Sequence, residues 1–126
     1  PKVTHNCFAK IESMDEMLSR NVPKVVVNAS GNLLYASRAP IPFGKNSERV
    51  ELGLKQVCIY YFPVDHLRCF GEGKEKSALE TIEDIEILRL VEGGHTVSMH
   101  ELSGRFQAVD QIADVAKVEK LLDEGF

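Results

Sequence analysis

Two stretches decide the fold of this chain: YASRAPIPF at Tyr35–Phe43 and KQVCIYYF at Lys55–Phe62. The first brings an apolar run to Arg38 and then to two prolines, whose fixed φ and missing N–H exclude this turn from the centre of a sheet. The second has the pattern of a buried strand and carries three aromatic rings. A strand that delivers an arginine into a stiff loop is suited to holding an anion, because a guanidinium can bind a carboxylate or phosphate with paired hydrogen bonds.

Strands and helices alternate on both sides of these stretches. Apolar alternation and turn residues predict five strands: Val3–Ile11, Lys24–Asn28, Leu33–Ala36, Gln56–Phe62 and His95–Leu102. Capping boxes, prolines and helical periodicity predict four helices: Met14–Leu18, Val64–Phe70, one from Ser77 to Gly93-Gly94, and one after Asp110. The order β-α-β-β-loop-β-α-α-β-α predicts one α/β domain over residues 1–126, with a layered mixed sheet flanked by helices.

The last two predicted helices are amphipathic. The helix opened by Ser77 is expected to bury a stripe made of Leu79, Ile82, Ile85 and Leu88, widened by Ile87 and Val91. The final helix has an apolar face made of Val115, Val118, Leu121 and Leu122. We interpret most of the acidic residues between Glu80 and Glu92 as the solvated side of their helix.

Composition excludes several classes of protein. The chain has 126 residues, a formal net charge of -4 and scattered basic residues, so we expect no nucleic-acid partner. No apolar run reaches the roughly 18 residues that a membrane span needs, and no signal segment is visible. Three cysteines without C-x-x-C spacing are typical of reduced thiols in a cytoplasmic protein, and we expect Cys7 and Cys58 to lie in the core.

Three polar residues near the decisive stretches are candidate binding residues. Arg38 can hold an anion, or it can be a surface arginine beside a tight turn. Gln56 and Tyr60 lie four residues apart on a strand, so both side chains should point to one face, where they could bind sugar hydroxyls. Tyr60 could equally be a half-buried core aromatic. The four histidines have no metal-ligand spacing, and we interpret them as structural or surface residues.

Four motifs resemble the second half of the CMP-sugar-acid synthetases, and most closely the CMP-KDO synthetase family. The segment Ser37–Pro42 nearly completes the family pattern Ser-Arg-Ala-Pro-Ile-Pro, and Gln56 stands where many members have histidine. Ile85–Arg89 matches the pattern Leu/Ile-Glu-x-Leu-Arg. Val109-Asp110 matches the start of Val-Asp-Thr-Pro-Glu-Asp, although Gln-Ile replaces Thr-Pro here.

This resemblance implies a fold, a reaction and a set of site residues. The fold would be the C-terminal half of a nucleotide-diphospho-sugar-transferase-like, Rossmann-like enzyme whose nucleotide-binding half is absent from the chain. The enzymes transfer CMP from CTP to an α-keto sugar acid with Mg²⁺ and release pyrophosphate. By resemblance, the sugar acid is bound by Arg38, Gln56, Tyr60 and Glu86. Asp110 would be a Mg²⁺ ligand, although from its position alone it could also be a helix N-cap.

The resemblance also implies a homodimer, with residues 44–54 as an arm that reaches a neighbouring molecule. We expect the chain to be inactive without the nucleotide-binding half. Its start at Pro1, without methionine, indicates an engineered boundary, a proteolytic product or the remainder of a longer chain. Gln56 cannot titrate near neutral pH, and Ile87 removes a polar contact, so an 8-amino sugar acid or a nonulosonic acid is an alternative substrate. A non-catalytic sugar-binding or assembly module is the other alternative.

Overall fold

The computed structural model describes residues 2–45 and 53–125. The strands are β1 (Thr4–Lys10), β2 (Lys24–Val27), β3 (Leu33–Ser37), β4 (Leu54–Tyr61) and β5 (Val97–Glu101). The helices are α1 (Met14–Leu18), α2 (Val64–Leu67), α3 (Ala78–Glu83), α4 (Ile87–Glu92) and α5 (Ile112–Glu124), with a 3₁₀ turn at Arg68–Phe70. The sheet order is β3-β2-β4-β1-β5. Among the strand pairs of the described residues, β1–β5 alone is parallel, so the predicted mixed α/β sheet is confirmed.

The hairpin between β2 and β3 forms where its turn residues predict it. Asn28 Oδ1 accepts hydrogen bonds from the backbone N–H of Ser30 at 3.0 Å and of Asn32 at 2.9 Å. Gly31 takes a φ of 79°, a conformation that glycine adopts without steric cost. The hairpin therefore places Arg38 immediately after the last residue of β3, Ser37.

The segment after Ser77 is two helices rather than the one that we predicted. Asp84 ends α3 with a φ of 52°, a left-handed conformation that aspartate tolerates better than most residues, and α4 starts at Ile87. This turn changes which side chains meet the sheet. Ile82 of the predicted stripe is 78% exposed, whereas Ile85, Ile87, Leu88 and Leu90 are buried.

The main core lies between the sheet and the α3–α4 pair. The sheet contributes Val25, Leu33, Ala36, Val97 and Met99, and the helical side contributes the four residues buried around the α3–α4 junction. A buried ion pair fixes α3 to α4, because Arg89 donates from Nε to Glu80 at 2.5 Å and from one Nη at 2.9 Å. Packing and this ion pair together set the position of the α3–α4 junction.

β4 bulges opposite β1. Asn6 pairs with Tyr60 while the next residue, Cys7, pairs with Val57, so two residues of β4 have no partner on β1. The bulge places Cys58 and Ile59 on the surface. The prediction that Cys58 lies in the core is therefore wrong, and Cys7 is only half-buried.

The chain after β5 differs in detail from the prediction. Asp110 is not the N-cap of α5; that residue is Gln111. Asp114 Oδ2 accepts hydrogen bonds from the backbone N–H groups of both Asp110 and Gln111. The apolar face of α5 is only partly covered, since Val115 is 45% and Leu122 57% exposed.

The predicted dimer arm and the predicted absence of a membrane span can be compared with the structure only over the described residues. Of the predicted dimer arm at 44–54, residues 46–52 lie outside the described part of the chain. Within 2–45 and 53–125, no helix is long and apolar enough to cross a lipid bilayer.

Candidate functional site

A cavity of about 1200 Å³ lies between the sheet and the C-terminal segment. Its walls come from the start of α1, the α1–β2 connection, β4, the α3–α4 junction and the segment from Arg105 to Leu121. Four of the five predicted site residues border it: Arg38, Gln56, Glu86 and Asp110. The fifth, Tyr60, does not line the cavity but lies behind Gln56. Residues up to 72 positions apart in sequence thus meet around one space.

Arg38 is held in place by backbone carbonyls. Its Nε donates to Glu83 O at 2.5 Å, and its two Nη atoms donate to Arg20 O at 2.8 Å and to Asp84 O at 2.9 Å. The Arg38 backbone N–H donates to Glu83 Oε2 at 2.9 Å. A guanidinium has five N–H groups, so these bonds fix its orientation at the cavity edge while two N–H groups are left over.

Gln56 and Tyr60 contact each other, as their even spacing indicated. Gln56 Nε2 donates to Tyr60 Oη at 3.1 Å and to Asn6 Oδ1 at 2.9 Å. Asn6 is completely buried, and its own Nδ2 donates to Val57 O and Ile59 O, both at 3.0 Å. Asn6 therefore closes the β4 bulge and fixes the Gln56 amide that faces the cavity.

The Tyr60 phenol remains protonated over the ordinary pH range. Burial is the largest cause that raises the pKa of Tyr60, and the neighbouring Cys58 and Glu86 raise it further. Its ring stacks on Phe62 with centroids 5.3 Å apart. Tyr60 is thus a half-buried aromatic whose hydroxyl accepts a hydrogen bond from Gln56 behind the cavity wall, and its role in sugar binding stays a prediction.

The carboxylates of Glu86 and Asp110 are exposed at the cavity edge. Neither accepts a hydrogen bond from any residue that the structure describes. Oxygen ligands of this kind suit Mg²⁺, which usually takes only one or two carboxylates and completes its shell with water and phosphate oxygens. Within the described residues no group of three or more His, Cys, Asp or Glu side chains could hold a metal ion. Asp110 therefore fits as one ligand of a Mg²⁺ ion but cannot form a site alone.

Sequence analysis missed the ion pair between Lys55 and Glu16 at the cavity. The Lys55 ammonium group is nearly buried, forms an ion pair with Glu16 and donates to Phe106 O at 3.2 Å. This pair joins β4 to α1 and to the segment before α5. Only the capping role of Glu16 was visible in the sequence, because its partner lies 39 residues away.

Carboxylates outnumber cations around the cavity. Seven acidic side chains and four basic ones line it. Of the basic ones, Lys55 is paired with Glu16, Lys117 with Asp114 and Arg105 with Glu124. Cations rather than further anions are therefore favoured in the unliganded cavity.

Three relatives found by comparison with known proteins carry the same enzyme name. No family model matches the chain. It is 33% identical over 122 residues to the 3-deoxy-manno-octulosonate cytidylyltransferase of Xylella fastidiosa strain M12, covering 90% of this chain and 47% of that protein. It is 36% identical over 121 residues to the enzyme of the same name from Thioalkalivibrio sulfidiphilus, covering 89% and 47%. For the enzyme from Acidobacterium capsulatum the identity is 38% over 112 residues, with coverage of 89% and 45%.

The fold agrees with these relatives. The structure of a CMP:2-keto-3-deoxy-manno-octonic acid synthetase complexed with CTP superposes with a TM-score of 0.81 and 31% identity, over 99% of this chain and 51% of that one. The chain spans about half the length of the relatives that it matches, namely their C-terminal part. With fold and sequence in agreement, the chain belongs to the 3-deoxy-manno-octulosonate cytidylyltransferase (CMP-KDO synthetase) family.

Proposed function

We propose that this chain forms the sugar-acid-binding part of a cytidylyltransferase. The whole enzyme would activate a KDO-like sugar acid by Mg²⁺-dependent transfer of CMP from CTP, with release of pyrophosphate. One observation carries the proposal: Arg38, Gln56, Glu86 and Asp110, chosen from separate motifs, border one cavity. Membership of the family supports it, because its named members are cytidylyltransferases of this sugar acid.

Arg38 and the Gln56–Tyr60 pair would orient the sugar acid. The two N–H groups of Arg38 that are not bonded to carbonyls can donate to the sugar carboxylate. Gln56 presents its amide oxygen to sugar hydroxyls while Tyr60 holds that amide from behind, and Glu86 can accept hydrogen bonds from other sugar hydroxyls. Because Asn6, Glu83 and Asp84 already fix these groups, little conformational freedom remains to be lost on binding.

Asp110 would bind Mg²⁺ through a carboxylate oxygen. In this role it supplies one ligand, and CTP phosphates and water supply the others. The excess of carboxylates around the cavity supports a cation here, since two anionic substrates would otherwise meet a negatively charged wall. The bound ion would offset that repulsion and the charge on the phosphates.

The reaction itself requires positioning more than acid–base chemistry. The anomeric hydroxyl of the sugar acid forms a bond to the α-phosphorus of CTP and loses its proton to solvent, while the bond to pyrophosphate breaks. The described side chains hold the nucleophile in line, and the fixed N–H groups of Arg38 and the fixed amide oxygen of Gln56 keep the sugar from rotating. Gln56 cannot take a proton near neutral pH, so its role is binding.

Calorimetric titration of the chain with KDO tests the sugar-binding role. We expect KDO to bind, Tyr60→Phe to weaken binding by about tenfold, and Tyr61→Phe to leave it unchanged, because Tyr61 points to the opposite face of β4. The same titration with CTP and Mg²⁺ separates the Asp110 role: Asp110→Asn should reduce Mg²⁺ binding, whereas Asp123→Asn should not. Absence of any sugar-acid binding would contradict the proposal.

An 8-amino sugar acid is a second candidate substrate, favoured by the charge of the cavity. An ammonium group would be attracted by the seven carboxylates, among them Glu86. Ile87 is completely buried in the core and offers no polar contact at this position. Titration with the 8-amino and 8-hydroxy sugar acids in parallel distinguishes them; tighter binding of the amino sugar would assign it as the substrate.

We also propose that the protein is a homodimer. Phe43 is 71% exposed directly after the proline turn, and an aromatic side chain in this setting is typical of a contact surface. Light scattering tests this, with Phe43→Ser as the variant. A monomeric unmodified chain at high concentration would contradict the proposal.

A further inference from the structure

A second, smaller cavity lies between the 3₁₀ turn at Arg68–Phe70, the loop that follows it and the C-terminal end of α4. It has a volume of about 400 Å³ and shares no lining residue with the first. Its walls include Cys69, His95 and the basic side chains of Arg68, Lys74 and Arg89, with Glu75 as the acidic one. None of these residues has a role in the proposed transfer of CMP.

Cys69 and His95 form a thiol–imidazole pair in this cavity. Cys69 Sγ lies 3.9 Å from His95 Nε2, within reach of a hydrogen bond to sulfur. A base this close to a thiol is the arrangement that activates nucleophilic cysteines. Cys69 is half-buried and lines the cavity.

The His95 ring is held by its neighbours. It packs against the His66 ring with centroids 4.4 Å apart. His66 is itself buried, and its Nδ1 is hydrogen-bonded to Thr4 Oγ1 at 2.7 Å. Burial, and after it the proximity of His95, lowers the pKa of His66, so the neutral form of this ring is favoured.

Three basic side chains line the cavity, and two of them are in ion pairs, Arg89 with Glu80 and Arg68 with Asp65. The Arg89 guanidinium donates to Cys69 O at 2.9 Å and stacks on the Phe70 ring 4.7 Å away. Arg68 and Lys74 are exposed at the edge of the cavity. Lys74, the basic lining residue outside these ion pairs, therefore favours reagents that carry carboxylates over neutral ones near the sulfur.

We propose that Cys69 is a site of reversible thiol modification by small disulfides that carry carboxylate groups. His95 takes the proton from the thiol, and the sulfur attacks one sulfur of the disulfide. The bond between the two reagent sulfurs breaks as the bond to Cys69 forms. The departing thiolate takes the proton back from His95, so one disulfide is exchanged for another and no separate oxidant is consumed.

Cys58 is the matched control, because it is the exposed thiol on the β4 bulge. Two variants isolate the thiols: Cys7→Ser with Cys58→Ser leaves Cys69, and Cys7→Ser with Cys69→Ser leaves Cys58. We expect the Cys69 variant to react with dithiobis(nitrobenzoate), a dicarboxylate, about tenfold faster than the Cys58 variant at neutral pH, despite its lower exposure. With neutral dipyridyl disulfide the advantage should shrink.

Two further substitutions separate the base from the charge. His95→Gln in the Cys69 variant should slow the reaction with both reagents by about tenfold. Lys74→Ala should slow only the reaction with the dicarboxylate. Equal or faster reaction of the Cys58 variant, or no effect of His95→Gln, would overturn the proposal. Mass spectrometry of the unmodified sequence after limiting reagent gives an independent result: the label should be on the Cys69 peptide, and labelling mainly at Cys58 would refute the site.

Discussion

Arg38 and Glu83 hold each other through both backbone and side chain. Glu83 Oε2 accepts the Arg38 backbone N–H at 2.9 Å, and Arg38 Nε donates to Glu83 O at 2.5 Å. The other carboxylate oxygen, Glu83 Oε1, accepts the hydroxyls of Ser37 at 2.7 Å and Tyr35 at 3.2 Å. One carboxylate thus fixes the end of β3 to the end of α3, and with it the arginine at the cavity.

Replacing Glu83 with glutamine should destabilise the fold in a pH-dependent way. Burial raises the pKa of Glu83, but hydrogen bonds from Arg38, Ser37 and Tyr35 outweigh it and hold the pKa below its usual value. The stabilisation is therefore present above the unfolded-state pKa and is lost as the pH falls through the folded-state pKa. We expect Glu83→Gln to lower the free energy of unfolding by about 1–3 kcal/mol at pH 7, measured by urea unfolding. The free energy of unfolding of the variant should also fall less steeply at acid pH than that of the parent chain. Glu119→Gln on exposed α5 is the control, and equal losses in both would contradict the assignment.

Lys24 should give stability that rises with pH. Its side chain is completely buried, with Nζ donating to Ser19 O at 2.6 Å. Burial first, and Arg38 second, lower the pKa of Lys24 to about 8. Between this value and the ordinary 10.5 the unfolded chain binds more protons, so the free energy of unfolding rises with pH in this window. We expect Lys24→Met to lose that rise and Lys10→Met, at an exposed site, to keep it; identical profiles would refute the prediction.

Arg89→Met should be among the most destabilising single changes. It leaves the Glu80 carboxylate, whose side chain is 1% exposed, without its counter-charge. We expect a loss of about 3–5 kcal/mol in urea unfolding, much of it recovered in the double variant Glu80→Gln, Arg89→Met. The exposed pair Arg105–Glu124 is the control, and Arg105→Met should cost about 0–1 kcal/mol. A double variant as unstable as the single one would show that packing rather than charge sets the loss.

Asn6→Ala should destabilise the fold and disorder the Gln56 amide. The substitution removes the donor to Val57 O and Ile59 O and the acceptor of Gln56 Nε2. Asn6 itself is completely buried. We expect about 2–3 kcal/mol in thermal or urea unfolding, because buried polar groups lose their partners. NMR of the Gln56 side-chain amide should show faster exchange with water than in the parent chain. Asn21→Ala at an exposed position is the control; an unchanged Gln56 signal would contradict the link.

Local patterns in the sequence predicted the strands, the hairpin and the first helix, because each depends on neighbouring residues. Asn28 and Gly31 form the turn, and Ser13 caps α1 by accepting from Glu16 N at 3.2 Å. The break at Asp84 was missed because helical periodicity continues through it. Only the fit of Ile85 and Ile87 into the core shows why the left-handed residue is tolerated.

The sequence predicted the contact between two of the candidate site residues, but not the residues that hold them in place. Even spacing on β4 brought Gln56 and Tyr60 together correctly. Asn6 lies 50 residues from Gln56 in the chain, and nothing near either residue indicates the contact. Arg38 was expected to face an anion, yet three of its donors go to carbonyls of Arg20, Glu83 and Asp84. Such long-range partners follow from packing, which a single sequence does not display.

The bulge on β4 limits how this chain can change in length. It takes up two residues between Val57 and Tyr60, and the side-chain alternation of a strand repeats every two residues. Removing both would therefore shorten the strand without turning Tyr60 away from Gln56. Deletion or insertion of a single residue here would invert every side chain from Tyr60 onward and carry the tyrosine out to solvent. Insertions and deletions that keep Tyr60 next to Gln56 should accordingly involve an even number of residues at this point.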